Sequence, residues 1–332
     1  MKKISTILLI LMIVISVFSA CTQTPANNLK EAVVSAENEK ITLGEFRYIL
    51  ESIKGQITQN QTEEQLKEFW ETEKDGKMPE EIIKDQAIEA AVDIVTIAEI
   101  AKTNGITITD SEVNAEISKS MPLDQLKQMA DGYKTDVDSI KAFLKKQMLV
   151  QKYYMSLDGD PRMQPSEEEL KVLFQEKYIK AQHILKLTLA EDQETPLPEE
   201  EKANKKKEID ELLVTARQKN QDFQTLMMDN SEDPGSTQQP DGYIFTEGEM
   251  VEEFYHGALA LADNEISDVI ETSYGYHIIK RLPLDVNRDF ADKQDAVANT
   301  YKGIKAEEII EELKPSVPIQ KNDEILSGIT VK

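Results

Sequence analysis

The chain is 332 residues long, room for about two domains, and carries 38 Lys and Arg against 62 Asp and Glu, a formal net charge of −24. So acidic a chain offers phosphates no clustered positive charge and is repelled by anionic surfaces, which sets nucleic acid aside as a partner. Apolar residues recur at helical spacing through long stretches, which excludes general disorder, and the charge suits a body that resists aggregation while meeting basic, unfolded chains.

Lys2 and Lys3 precede an apolar run from Ile4 to Ala20, slightly shorter than the ~20 residues that cross a bilayer comfortably, and small Ser19 and Ala20 stand before Cys21. Residues 1–20 read as an export signal, with an uncleaved membrane helix as the competing reading. Cys21 is the only cysteine, so no internal disulfide is available. "FSAC" resembles the lipobox of bacterial lipoproteins, with Phe18 where leucine is commoner. The resemblance implies a diacylglycerol on the Cys21 thiol and a mature chain starting there. Residues 21–32, without apolar periodicity, then form a lipidated tether.

From Val33 the pattern predicts a short strand or turn and then a helix, with Thr42 and Glu45 in capping-box spacing and Leu43, Phe46, Ile49, Leu50 and Ile53 on one face. A longer helix follows, with Pro79 in its first turn, Gly105 just past its end and an almost wholly apolar middle, as expected of the centre of a lobe. Helical patterns continue through "TDSEVNAEISKSM", "DVDSIKAFLKKQMLVQKYYMSL" and "SEEELKVLFQEKY", the last capped by Ser166 and Glu169. Residues 33–178 thus read as an N-terminal helical lobe.

At Ala181 the period changes to two, with Ala181, His183, Leu185 and Leu187 alternating against Gln182, Ile184 and Lys186. Up to Leu282 the predicted order is β-α-α-β-α-β-β, with a turn-rich "NSEDPGSTQQPDG" before the second strand. After Pro283 helical periodicity returns until Pro315. The fold class is α+β: a helical lobe made by the N- and C-terminal segments, with residues 179–283 inserted as a small antiparallel sheet with surrounding helices, and residues 284–332 returning to the lobe.

"AQHIL", "SEDPGS", "GEMVEEF" and "EISDVIETSYGYHIIK" stand in the order and approximate spacing of the parvulin-type peptidyl-prolyl isomerases. With the lipobox and flanking helices, the whole chain resembles the lipid-anchored extracytoplasmic foldases called PrsA, related in plan to the chaperone SurA. The isomerase resemblance implies that the family's paired histidines fall on His183 and His277, and its cysteine-or-aspartate position on Asp233. It places the proline-pocket methionine and phenylalanine on Met250 and Phe254, one helical turn apart, and a substrate-binding threonine on Thr272. The chain departs from the pattern in three places. "PDGYIF" replaces "GGDLG", leaving a pocket leucine without a counterpart near Gly242; Asn264 stands for a frequent glycine; Leu259 stands for a frequent phenylalanine.

These residues suit a reaction that needs neither metal nor nucleophile, and no cofactor is implied. Rotation about X-Pro faces ~18–20 kcal/mol because the amide has partial double-bond character. A dry apolar cup holding the ring, with polar groups beside the twisting amide, lowers that barrier. His183 and His277 on adjacent strands are expected to share a hydrogen bond and tune the polarity near the amide, with Asp233 on a loop over the cup. Taken singly, strand histidines, a Met/Phe pair and an Asp-Pro-Gly turn are more often ordinary packing and turn chemistry; their joint order within one segment favours the site. Glu191, Asp192 and Glu194 after the first strand would repel a phosphorylated substrate.

The function expected is a membrane-anchored extracytoplasmic foldase that isomerises X-Pro bonds. The alternative is an ATP-independent holdase with a slow or inert parvulin domain. Expected partners are unfolded or partly folded exported proteins and the membrane, through the lipid on Cys21; a homodimer is compatible with the sequence.

Overall fold

The computed structural model describes residues 29–59, 61–190 and 195–331. Cys21, the export-type segment before it, and Glu191, Asp192 and Glu194 lie outside the described residues. The chain divides into two compact units, one from residues up to 161 together with 305–332, the other from 162–304.

The first unit begins with a hairpin, β1 (Ala32–Ser35) and β2 (Lys40–Thr42), and continues through α1 (Leu43–Thr58), α2 (Glu63–Glu71), α3 (Pro79–Thr103), α4 (Asp110–Ser120), α5 (Leu123–Gly132) and α6 (Val137–Ser156). The local signals act as their chemistry requires. Thr42 and Glu45 close a capping box on α1, Pro79 occupies the first turn of α3, and Gly105 follows the C-cap Asn104. Phe46, Ile49 and Leu50 of α1 pack with Ile83, Ala87, Ala91, Ile94 and Val95 of α3 and Phe143 of α6. This 3.6-period stripe is the main reason the helices associate. Buried Glu45 accepts from Thr42 N at 2.7 Å and from buried Lys146 Nζ at 2.6 Å, so its charge is compensated.

The end of the chain belongs to this unit. Leu326 and Val331 enter the same core, Lys84 Nζ donates to the carbonyl of Ile329 at 3.1 Å, and Lys314 Nζ pairs with Asp93 at 3.0 Å. A two-residue strand, Gln320–Lys321, pairs antiparallel with β1 and completes a three-stranded sheet.

The second unit starts with α7 (Glu167–Lys177), capped by the Ser166–Glu169 box. Then come β3 (Ile179–Leu187), α8 (Glu199–Ala216), α9 (Phe223–Asn230), β4 (Tyr243–Phe245), α10 (Glu252–Leu259), β5 (Ile270–Glu271) and β6 (Gly275–Leu282), the order β-α-α-β-α-β-β. Short α11 (Val286–Asp289) follows, and α12 (Gln294–Leu313) opens in this unit. Helices on both flanks join it: Leu170, Phe174 and Tyr178 pack with Phe290 and Val297.

The four strands lie in the order β4-β3-β6-β5, every neighbouring pair antiparallel. Central β3 and β6 bury both faces, which is why the alternation at Ala181 carries apolar residues in both phases. One face, through Ile184 and Ile278, packs on Ile209, Ala216, Phe223 and Met227 of α8 and α9. The opposite face, through Ala181 and Ile279, packs on Phe254 and Ala258 of α10.

Candidate active site

His183 and His277 stand on that second face. The β3–β6 register pairs His183 with Ile279 and Leu185 with His277, so the two histidines are diagonal neighbours on the same side of adjacent strands. Gly275 opens β6 at φ 148°, and a Cβ there would lie 2.2 Å from the Lys186 carbonyl oxygen, so only glycine lets the turn enter the strand this close to β3.

The rings of His183 and His277 lie 5.3 Å apart, and the Phe254 ring stands edge-on to both, at 5.1 Å and 5.3 Å. Phe245 backs Phe254 at 5.7 Å. Phe254 is 3% exposed, His277 4% and His183 9%, so this is a dry aromatic cluster. Met250 lies in the bend before α10, not one turn along the helix from Phe254: Val251 is the N-cap of α10. Met250 still packs, partly buried, on the cluster of Phe254, Ala258 and Ile279.

The expected hydrogen bond between the imidazoles does not form. Each ring turns its Nε2 to an oxygen of its own: His183 to Asp233 Oδ2 at 2.9 Å, His277 to Thr272 Oγ1 at 2.9 Å. Both Nδ1 atoms are buried without a hydrogen-bond partner. The ring tilt of 54° puts edges and faces, rather than two nitrogens, in register.

Asp233 caps a 3-10 turn (Pro234–Thr237). Oδ2 accepts from His183 Nε2 and from the Tyr243 hydroxyl at 2.6 Å, and Oδ1 accepts from the Gly235 amide at 2.9 Å. Burial alone would raise its pKa, but these donors outweigh burial and bring it down to about 2. The ionised carboxylate can only accept, so His183 Nε2 carries a proton. Burial, reinforced by neighbouring His183 and only partly offset by Asp233, pushes His277 down to about 3, and its imidazole is neutral at physiological pH.

Thr272 directly follows β5 and is buried, with its hydroxyl on His277 and accepting from the Tyr274 amide at 3.1 Å. His256, on the outer side of α10, has a side chain 57% exposed and is remote from this face. Gly242 takes φ 93°, and a Cβ there would meet the Ala181 carbonyl oxygen at 2.8 Å, so no leucine fits at that position. The next residue, Tyr243, packs on the same cluster and places its hydroxyl on Asp233. The sequence reading missed it, although alternation in "YIF" puts Tyr243 and Phe245 on one side of β4. Among the described residues no group of three or more His, Cys, Asp and Glu could hold a metal ion, and no helix is long and apolar enough to cross a membrane.

Such a cluster has no activated nucleophile. It offers apolar walls, a fixed carboxylate and the neutral imidazole of His277, a combination suited to holding a group while its conformation changes.

Comparison with known proteins gives that arrangement a class. A family model for the PPIC-type PPIase domain matches residues 168–282, and one for the SurA-like N-terminal domain matches residues 1–156. The chain is a parvulin-type peptidyl-prolyl isomerase with a SurA-like N-terminal region. It is PrsA-like, with the role of a foldase. It is 26% identical over 318 residues to the foldase protein PrsA of Caldanaerobacter subterraneus subsp. tengcongensis, covering 94% of this chain and 92% of the relative. It is 34% identical over 117 residues to that of Geobacillus kaustophilus, covering 34% of this chain and 39% of the relative. The crystal structure of the foldase protein PrsA from Streptococcus pneumoniae aligns at 21% identity with a TM-score of 0.32, over 71% of this chain and 87% of that one.

Proposed function

We propose that the aromatic cluster on the α10 face of the sheet is where the chain isomerises X-Pro bonds, in exported proteins outside the cytoplasm. The observation that carries this is the three-ring contact of His183, Phe254 and His277 beside the Asp233 carboxylate. Phe254 and Met250 form the apolar walls for the proline ring. The Asp233–His183 pair stands by the carbonyl side of the bond, and Thr272 holds His277, which stays neutral. No proton is transferred: a ring held in apolar surroundings beside fixed dipoles favours the twisted amide over the planar one, which is differential stabilisation of a conformational transition state. The acidic stretch of sequence with Glu191, Asp192 and Glu194 favours unphosphorylated substrates.

In this reading residues 179–283 are the isomerase domain. Of the flanking segments 33–178 and 284–332, the parts that fold together as the first unit, up to 161 with 305–332, hold unfolded clients, a second activity favoured by the SurA-like match over residues 1–156. Cys21, after an export-type run, carries the lipid that anchors the chain. Mass spectrometry of the membrane fraction should find a diacylated Cys21 at the mature N-terminus, and a mature chain that retains Met1 to Ala20 would rule the anchor out.

The site is tested by comparing two histidine variants in an X-Pro peptide isomerisation assay. His277→Ala, within the cluster, should lower kcat/KM at least about tenfold, the effect of losing one oriented polar group. His256→Ala, on the exposed side of α10, should leave it unchanged. Equal turnover in the two variants would remove the site from this face of the sheet.

A further inference from the structure

We propose that Tyr243 is a positioning residue of the isomerase site, and that Gly235 leaves the room its hydroxyl needs. The inference rests on the reading that Asp233 and His183 belong to that site. Tyr243 comes from β4 and His183 from neighbouring β3, and both donate to the same oxygen, Asp233 Oδ2, at 2.6 Å and 2.9 Å. The third donor, the Gly235 amide, takes the other oxygen at 2.9 Å. Three donors from three directions leave the carboxylate one orientation. Without the hydroxyl, Oδ2 would be set by the imidazole alone, and neither group would fix the other.

Gly235 supplies a second, independent observation. A Cβ built on it would lie 2.1 Å from the Tyr243 hydroxyl oxygen and 3.3 Å from the ring carbon bearing it. Gly235 is not among the glycines with positive φ, so the backbone makes no demand for glycine there. The demand is for space, and the atom occupying that space is the hydroxyl on Asp233. The tyrosine ring also lies against His183, with centroids 5.5 Å apart, so Tyr243 supports both partners of the pair.

The groups facing the Asp233 carboxylate are therefore few. They are His183 from β3, Tyr243 from β4 and, farther off, His277 from β6. The preceding Glu232 turns the other way, to Lys186 and Lys205. Loss of the Tyr243 hydroxyl acts on Asp233 with little competition from other charges, and burial and the carboxylate in turn hold the Tyr243 phenol protonated as a donor.

The test uses Tyr243→Phe, which removes one oxygen, in the full-length chain. Turnover of an X-Pro peptide should fall about tenfold, mainly in kcat, as expected for loss of a hydrogen bond to a charged group. The titration midpoint of the Asp233 carboxyl carbon, followed by NMR, should move upward. Gly235→Ala should impair the wild-type chain yet cost little more in the Tyr243→Phe background, because the atom it strikes is gone. An unchanged Asp233 midpoint, or an equal cost of Gly235→Ala in both backgrounds, would overturn the role of Tyr243. A shifted midpoint with wild-type turnover would instead remove Asp233 from the reaction, and the positioning role would fall with the site assignment.

Discussion

Phe254→Ala should lower isomerisation of an X-Pro peptide by about ten- to a hundredfold, the worth of one apolar wall of ~1.5–3 kcal/mol. It should also destabilise the second unit, with its four-stranded sheet, by ~3–5 kcal/mol, since Phe254 is 3% exposed and touches the rings of Phe245, His183 and His277. The two effects separate by measurement. Helix makes up most of the described chain away from α10, so the far-ultraviolet circular dichroism signal should stay nearly intact at temperatures where wild-type protein is folded. Urea unfolding then reads the stability loss and the peptide assay reads the site. Wild-type turnover in a folded Phe254→Ala chain would contradict the assignment of Phe254 to the cup.

Acid should weaken the same unit through His277. Its folded-state pKa, about 3, lies below the ordinary value of 6.5 because burial, helped by His183, disfavours the charged ring. Between those values the unfolded chain takes up a proton that the folded chain refuses, so the stabilising contribution is complete above pH 6.5 and is lost as pH falls toward 3. At ~1.4 kcal/mol per pH unit the full effect is on the order of 4–5 kcal/mol. Asp233, with a pKa lowered to about 2, acts in the same direction at still lower pH. Many other carboxylates titrate in this range, so the contrast with His277→Asn isolates the ring. The wild-type urea midpoint should drop more steeply between pH 7 and pH 4 than the variant's, and parallel slopes would contradict a buried neutral His277.

Much of this architecture was legible because its signals are local. Capping boxes at Thr42 and Ser166, proline in the first turn of α3 and the change of period at Ala181 each act over a few residues, and each marks an element where the spacing places it. The third strand of the first sheet was not legible. Gln320–Lys321 is two exposed residues with no apolar alternation, and it pairs only because the C-terminal segment packs along β1.

The site divides in the same way. Residues on β3 and β6 could be placed on one face by counting in twos, and the register puts His183 and His277 there. What the rings bond to depends on groups about fifty residues from His183 and five from His277, and on ring tilt, which no spacing rule contains. Met250 shows the limit of helical counting, since α10 begins two residues after it. Tyr243 shows another. Its hydroxyl reaches Asp233 only because β4 pairs with β3 and Gly235 leaves space, two conditions set by tertiary contact.

The most direct test of the central claim is to watch where a proline peptide binds while it isomerises. An unphosphorylated X-Pro peptide is titrated into isotopically labelled full-length chain, and its cis/trans exchange is followed in the same sample by NMR exchange spectroscopy. Shift changes should concentrate on His183, Asp233, Met250, Phe254, Thr272 and His277, with peptide exchange accelerated far beyond its uncatalysed time of tens of seconds or more. Accelerated exchange with shifts confined to the opposite, α8–α9 face of the sheet, and none at Phe254 or His277, would contradict the account.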